Sequence, residues 1–143
     1  MSSVGGHLDE VMKLEPIFAD LEVHLVVNDR CQYPAFPFAS IHRIVHAERD
    51  WRVLLNFAEA ARILAEVKPD VILSTGAGPL IPFAILARLL SPARVVFLES
   101  AAAVEKPTLT GRMVYPFAHE VFYQWPTLEK HFRKGHLAHV VFP

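Results

Sequence analysis

Cysteine is nearly absent: Cys31 is the single one in 143 residues. That excludes a disulfide scaffold and is compatible with a reducing cytoplasm. A secretory signal is lacking as well, since Met1 is followed by Ser-Ser-Val-Gly-Gly-His with neither a basic start nor an apolar core. No run is long enough to span a bilayer. The most apolar stretch, 76–90, is shorter than the roughly 20 residues a spanning helix needs, and Arg88 interrupts its end. Charge of one sign is missing too, with 14 Lys and Arg against 15 Asp and Glu and a net charge of -1. This excludes a nucleic-acid binder working by bulk positive charge. A hydrophobic share of 52% excludes a disordered tail. The length leaves no room for two full substrate domains. The chain therefore reads as one domain over 1–143, and chemistry that needs a second must take it from another chain or copy.

What is present is proline, 11 residues of it, and it punctuates an alternation of strand and helix signals. Glu22–Asn28 is a short β-branched run and Ile41–Val45 another, so both read as strands. Trp51–Val67 carries apolar residues at helical spacing and stops at Lys68-Pro69-Asp70. Val71–Ser74 is a buried strand. Pro79 then opens an apolar helix, Leu80–Leu90, which needs cover on most sides. Arg94–Leu98 is the next strand. Gly111–Phe117 reads as helix, Glu120–Gln124 as strand, Pro126–Arg133 as a short helix and His139–Phe142 as a final strand. Such alternation predicts an α/β fold: a Rossmann-like, doubly wound, mostly parallel sheet. At the start, Gly5-Gly6-His7 leads at once into an amphipathic helix through Leu8, Val11, Met12, Leu14 and Phe18. In such folds a glycine turn of this kind follows a strand, so the expectation is that the first strand is missing.

In open α/β sheets ligands bind outside the carboxyl ends of the strands. Four segments arrive at that edge: 3–7, 74–79, 99–106 and 124–126. Gly5 and Gly6 open backbone N–H groups to an anion at a helix start. Thr75-Gly76-Ala77-Gly78-Pro79 repeats the arrangement, and two such turns can hold a diphosphate between them; they can equally be ordinary strand-to-helix turns. His7 is a candidate general base for a hydroxyl, or a helix-terminal hydrogen-bonder. Glu99, just past a buried strand and followed by Ser100, is a second candidate acceptor of a proton or a sugar hydroxyl, or else a helix cap. Lys106, Arg112, Met113, Tyr115 and Phe117 mix cations with large apolar groups, as at a membrane interface or a protein contact; one helix with a buried and a solvated face reads the same way. The pairs and triples His42/His46 and His131/His136/His139 lack metal spacing, so no metal and no cofactor are expected. A Rossmann dinucleotide fingerprint, a Walker lysine and a nucleophile elbow are all absent from the sequence.

The segments Ser2-Ser3-Val4-Gly5-Gly6-His7-Leu8, Ser74-Thr75-Gly76-Ala77-Gly78-Pro79 and Phe97-Leu98-Glu99-Ser100 carry a family resemblance. Leu109-Thr110-Gly111-Arg112, Tyr115-Pro116-Phe117-Ala118 and Gln124-Trp125-Pro126 complete it. In this order, over nearly the whole chain, they resemble the acceptor-binding subunits of two-part GT-B glycosyltransferases. One relative is the membrane-recruiting subunit of the UDP-GlcNAc transferase that adds the second sugar to dolichol-linked oligosaccharide. The closer likeness is to its bacterial counterparts in capsule and exopolysaccharide synthesis. The resemblance implies the N-terminal half of a GT-B fold, held peripherally at the cytoplasmic, inner face of the cell membrane. It implies a lipid-diphosphate-linked acceptor and a separate UDP-sugar-binding subunit that completes the cleft, with no nucleic acid. By position it assigns Gly5, Gly6, Thr75, Gly76, Gly78, Pro79 and Ser100 to the acceptor, and His7 and Glu99 to catalysis. Two other readings stay open: a non-catalytic scaffold or recruiter for a catalytic partner, and a free-standing nucleotide-binding α/β domain.

Overall fold

In the computed structural model the described residues are 6–28, 32–33, 35–45, 53–76 and 78–140. Helix α1 (Gly6–Met12) runs into a 3-10 turn at Glu15–Phe18, where Pro16 breaks the helical ladder. Strands β1 (His24–Asn28) and β2 (Ser40–Ile44) follow, then α2 (Val53–Val67), β3 (Val71–Ser74), α3 (Leu80–Leu90) and β4 (Arg94–Leu98). Helix α4 (Leu109–Val114), β5 (Glu120–Tyr123), a 3-10 turn at Pro126–Leu128 and β6 (His136–Leu137) complete the order.

Every strand pair is parallel. One sheet is β1-β2, with Leu25 opposite Ile41 and Val27 opposite Arg43. The other runs β3-β4-β5-β6, with Ser74 opposite Phe97 and Leu98 opposite Phe122. Alternation along β1 shows why helices lie on both faces. Val26 joins the main core with Ile44, Ala60, Ile63, Phe83, Val95 and Phe97. Leu25 and Val27 point the other way, onto Leu8 of α1, with Met12 and Phe38 packed alongside.

Among the described residues no strand pairing joins the two sheets. Between the facing edges of β1 and β3 lies a cavity of about 570 Å³, lined among others by Val11, Leu25, Val26, Ile63, Ile72 and Leu73.

Several boundaries differ from the sequence reading. Helix α4 starts two residues early, because Thr108 caps it: its hydroxyl accepts from the Gly111 N–H. The helix expected over Pro126–Arg133 is one 3-10 turn followed by further turns, with both His131 and Phe132 N–H bonded back to the Leu128 carbonyl. The last strand among the described residues is His136–Leu137, paired with Phe122 and Tyr123; of the expected strand His139–Phe142, His139 and Val140 are not strand and the rest lies outside the described residues. Helix α3 has the expected limits, but its end is open to solvent, with Leu89 and Leu90 largely exposed.

Candidate functional site

At the carboxyl ends of the strands the turns that follow β3 and β4 meet α1, the turn after β5 meets the turn after β4, and named side chains tie them together. The Thr75 hydroxyl donates to the His7 carbonyl at 2.7 Å, pinning the start of α1 to the turn after β3. Glu10, one helical turn on, is buried and holds the turn after β4. Its Oε1 accepts from the Ser100 hydroxyl at 3.1 Å and from the Ala101 N–H at 2.9 Å. From the turn after β5, Gln124 Nε2 donates to the Glu99 carbonyl at 3.1 Å and Trp125 Nε1 to the Ala101 carbonyl at 2.7 Å.

His7 is the half-open member of this group, with its side chain 30% exposed. Its ring lies over Gly76, whose φ of +116° is left-handed backbone; a Cβ there would come within 2.9 Å of His7 Cε1. Glycine is required twice over at that position, by conformation and by contact. Ser74 secures the same turn: its hydroxyl donates to the Gly76 carbonyl and accepts from the Gly76 N–H. Gly78 has open space where a Cβ would be, so contact does not explain it.

Glu99 is 0% exposed. Its carboxylate accepts from the Ser100 N–H at 3.0 Å, the Thr108 N–H at 3.0 Å and the Thr108 hydroxyl at 2.9 Å. A Cβ on Gly111 would overlap Glu99 Oε2, so Gly111 is the residue that lets α4 close on this carboxylate. Burial pushes the Glu99 carboxyl above its usual range, opposed by the Thr108 hydroxyl, the two backbone donors and the nearby His7. Such a group anchors the cap of α4. Of the two readings of Glu99, its full burial and its three donors are those of a helix cap.

The sequence-selected residues therefore divide. His7, Thr75, Gly76, Glu99 and Ser100 are brought together; Gly78 and Pro79 follow in the same turn, and Gly6 opens α1. Gly5 and Ala77 lie outside the described residues. Of the proposed contact surface, Lys106, Arg112 and Met113 are exposed, and Val104 and Leu109 join them. Tyr115 and Phe117 instead turn inward, partly buried against the core, with the Tyr115 ring 5.3 Å from that of Phe132. Glu10, Thr108 and Gly111 were not picked out from the sequence as site residues. For Glu10 the available signal was its spacing of three from His7, which puts both on one helix face.

Among the described residues, no helix is long and apolar enough to cross a membrane.

Fold and site together define an α/β protein of parallel sheets whose polar turns converge at the carboxyl ends of its strands. The chain belongs to the Alg14 family: the family described as "Oligosaccharide biosynthesis protein Alg14 like" matches residues 43–141. The matched span takes in the turns after β3, β4 and β5 and leaves out His7 and Glu10. The chain is 35% identical over 80 residues to the UDP-N-acetylglucosamine transferase subunit ALG14 of Eremothecium gossypii, covering 52% of this chain and 36% of that protein. To the subunit of the same name from Mus musculus it is 26% identical over 135 residues, covering 87% of this chain and 62% of the other. The Homo sapiens subunit is 28% identical over 78 residues, with 51% and 36% covered. This chain thus spans between 36% and 62% of the length of these relatives. No solved structure matches it. These likenesses are to Alg14 subunits; they do not support the expected closer kinship with capsule and exopolysaccharide subunits.

Proposed function

We propose that this chain is the acceptor-side subunit of a two-part UDP-GlcNAc transferase. In this reading it forms the N-terminal half of a GT-B fold and binds a lipid-diphosphate-linked saccharide at the cytoplasmic face of a membrane. A separate subunit brings the UDP-sugar. Family membership supports the class, and the relatives' names supply the donor. The observation that carries the site is that α1, with His7 on it, is tied to the turns after β3 and β4, the second of which is held in turn by the segment after β5. The cavity between β1 and β3 is lined by the side chains a parallel strand would pack against, which supports one continuous sheet with a strand between them.

The acceptor hydroxyl approaches His7 Nε2 and gives up its proton there as its oxygen attacks the anomeric carbon of the donor. The new C–O bond forms as the bond from that carbon to the diphosphate breaks, and the electron pair leaves on UDP. Thr75, Gly76, Gly78, Pro79 and Ser100 line the acceptor side with Gly6. Glu99 acts through structure, fixing α4 and the turn after β4. The exposed Lys106, Leu109, Arg112 and Met113 form the membrane-facing or partner-facing patch.

The test is sugar transfer by the purified chain with and without its partner subunit. Transfer should need both; full activity of the chain alone would sink the two-part reading. His7→Gln in the intact complex should lose on the order of 10²- to 10⁴-fold in turnover. The burial of Glu99 favours a second reading, a recruiter with every catalytic group on the partner, and unchanged turnover in His7→Gln would select it.

A further inference from the structure

We propose that Glu10 is a positioning residue for His7: its second carboxylate oxygen accepts a hydrogen bond from His7 Nδ1–H and so fixes the tautomer that leaves Nε2 its lone pair. The inference rests on the reading of His7 as the base. Its observation is separate. Among the described residues, His7 Nδ1 and Glu10 Oε2 are both buried polar atoms without a hydrogen-bond partner. They face each other at 3.9 Å, one helical turn apart. Buried polar atoms are rarely left unpaired, and each is the other's nearest remedy. An approach of about 1 Å makes the bond, and contacts of this kind commonly tighten when substrate closes the site.

Neither side chain is free to turn away. Glu10 is held through its other oxygen by Ser100 and Ala101, both donors. The His7 ring is confined over Gly76, and its backbone is tied to Thr75. Two carboxylates stand near the ring, Glu10 on its own helix and Glu99 beyond β4, and the Glu99 oxygens are already engaged by Ser100 and Thr108. The opposite tautomer, with the proton on Nε2, would set the Nδ1 lone pair against Oε2 with no hydrogen between them. It would also leave a base with nothing to accept with. A carboxylate that orients an imidazole in this way is the usual companion of a histidine base.

The test uses Glu10→Gln in the full chain. Its amide oxygen must keep facing Ser100 and Ala101, since both donate. The amide NH₂ then faces Nδ1 and donates to it. Two-bond ¹H–¹⁵N correlation of the neutral His7 ring should show the Nδ1–H tautomer in the wild type and the Nε2–H tautomer in Glu10→Gln. In the complex with the partner subunit, Glu10→Gln should lower kcat about a hundredfold with KM little changed. An Nε2–H tautomer in the wild type overturns the proposal, and does so even if the variant fails to fold. An unchanged tautomer in a folded Glu10→Gln overturns it too. If the tautomers behave as expected while His7→Gln keeps full turnover, the base reading has failed and the Glu10 contact stands.

Discussion

Gly111 and Gly76 both exclude a side chain, for different reasons. Inside an exposed helix, replacing glycine by alanine is worth up to about 1 kcal/mol of stability. At Gly111 the sign reverses, because the added Cβ meets the Glu99 carboxylate. Gly111→Ala should cost about 2 kcal/mol, read from urea unfolding, through the same strain as an overfilled core. Gly76→Ala should act on both stability and site. Its backbone conformation is unfavourable for alanine, at on the order of 1–3 kcal/mol, and its Cβ would push the His7 ring. Glu99 makes a pH prediction. Burial raises its carboxyl, so the folded chain holds that proton to a higher pH than the unfolded chain does. Stability contributed by this group is complete below the ordinary carboxylate range and falls as pH rises from there to the raised value. Glu99→Gln should remove that fall from a plot of unfolding midpoint against pH; a slope unchanged in the variant would assign the titration elsewhere.

Among the elements, those bounded by strong punctuation were legible. Val71–Ser74 and Arg94–Leu98 are short β-branched runs closed by polar or proline-containing turns, and Leu80–Leu90 is enclosed by Pro79 and Ser91-Pro92. Where a tertiary partner sets the limit, the local pattern misleads. Helix α4 begins where Glu99, nine residues upstream, holds Thr108, and no window of local periodicity contains that fact. Strand β6 is two residues long and exposed, held by its register with Phe122 and Tyr123 and by His136 facing Glu120 at 3.5 Å. Nothing in its own composition marks it. The site follows the same division: glycines and His7 could be read from spacing, whereas the burial of Glu99 and the clamp made by Glu10 needed neighbours distant in the chain. Helix α4 also carries a prediction of its own. Leu109, Arg112 and Met113 share its exposed face at spacings of three and four. Replacing Leu109 and Met113 with Ser should weaken sedimentation with anionic vesicles severalfold. Being exposed, both changes should leave stability within about 0.5 kcal/mol.

For the molecule as a whole, the proposed function gives this charge-balanced chain the acceptor side of a glycosyl-transfer cleft and leaves the donor side to a partner subunit. The chain has helices on both faces of parallel sheets, a His7 open on one side, and an exposed cation-and-apolar patch near the same edge. It belongs to a family whose matched relatives bear the name of transferase subunits. The most direct test is sugar transfer from UDP-GlcNAc to a lipid-diphosphate-linked saccharide by the reconstituted pair, with wild-type chain and with His7→Gln. The account predicts no transfer by either subunit alone, transfer by the pair, and a loss of at least about a hundredfold when His7 is replaced in a complex that still assembles. Equal turnover by the wild-type and His7→Gln pairs would contradict it.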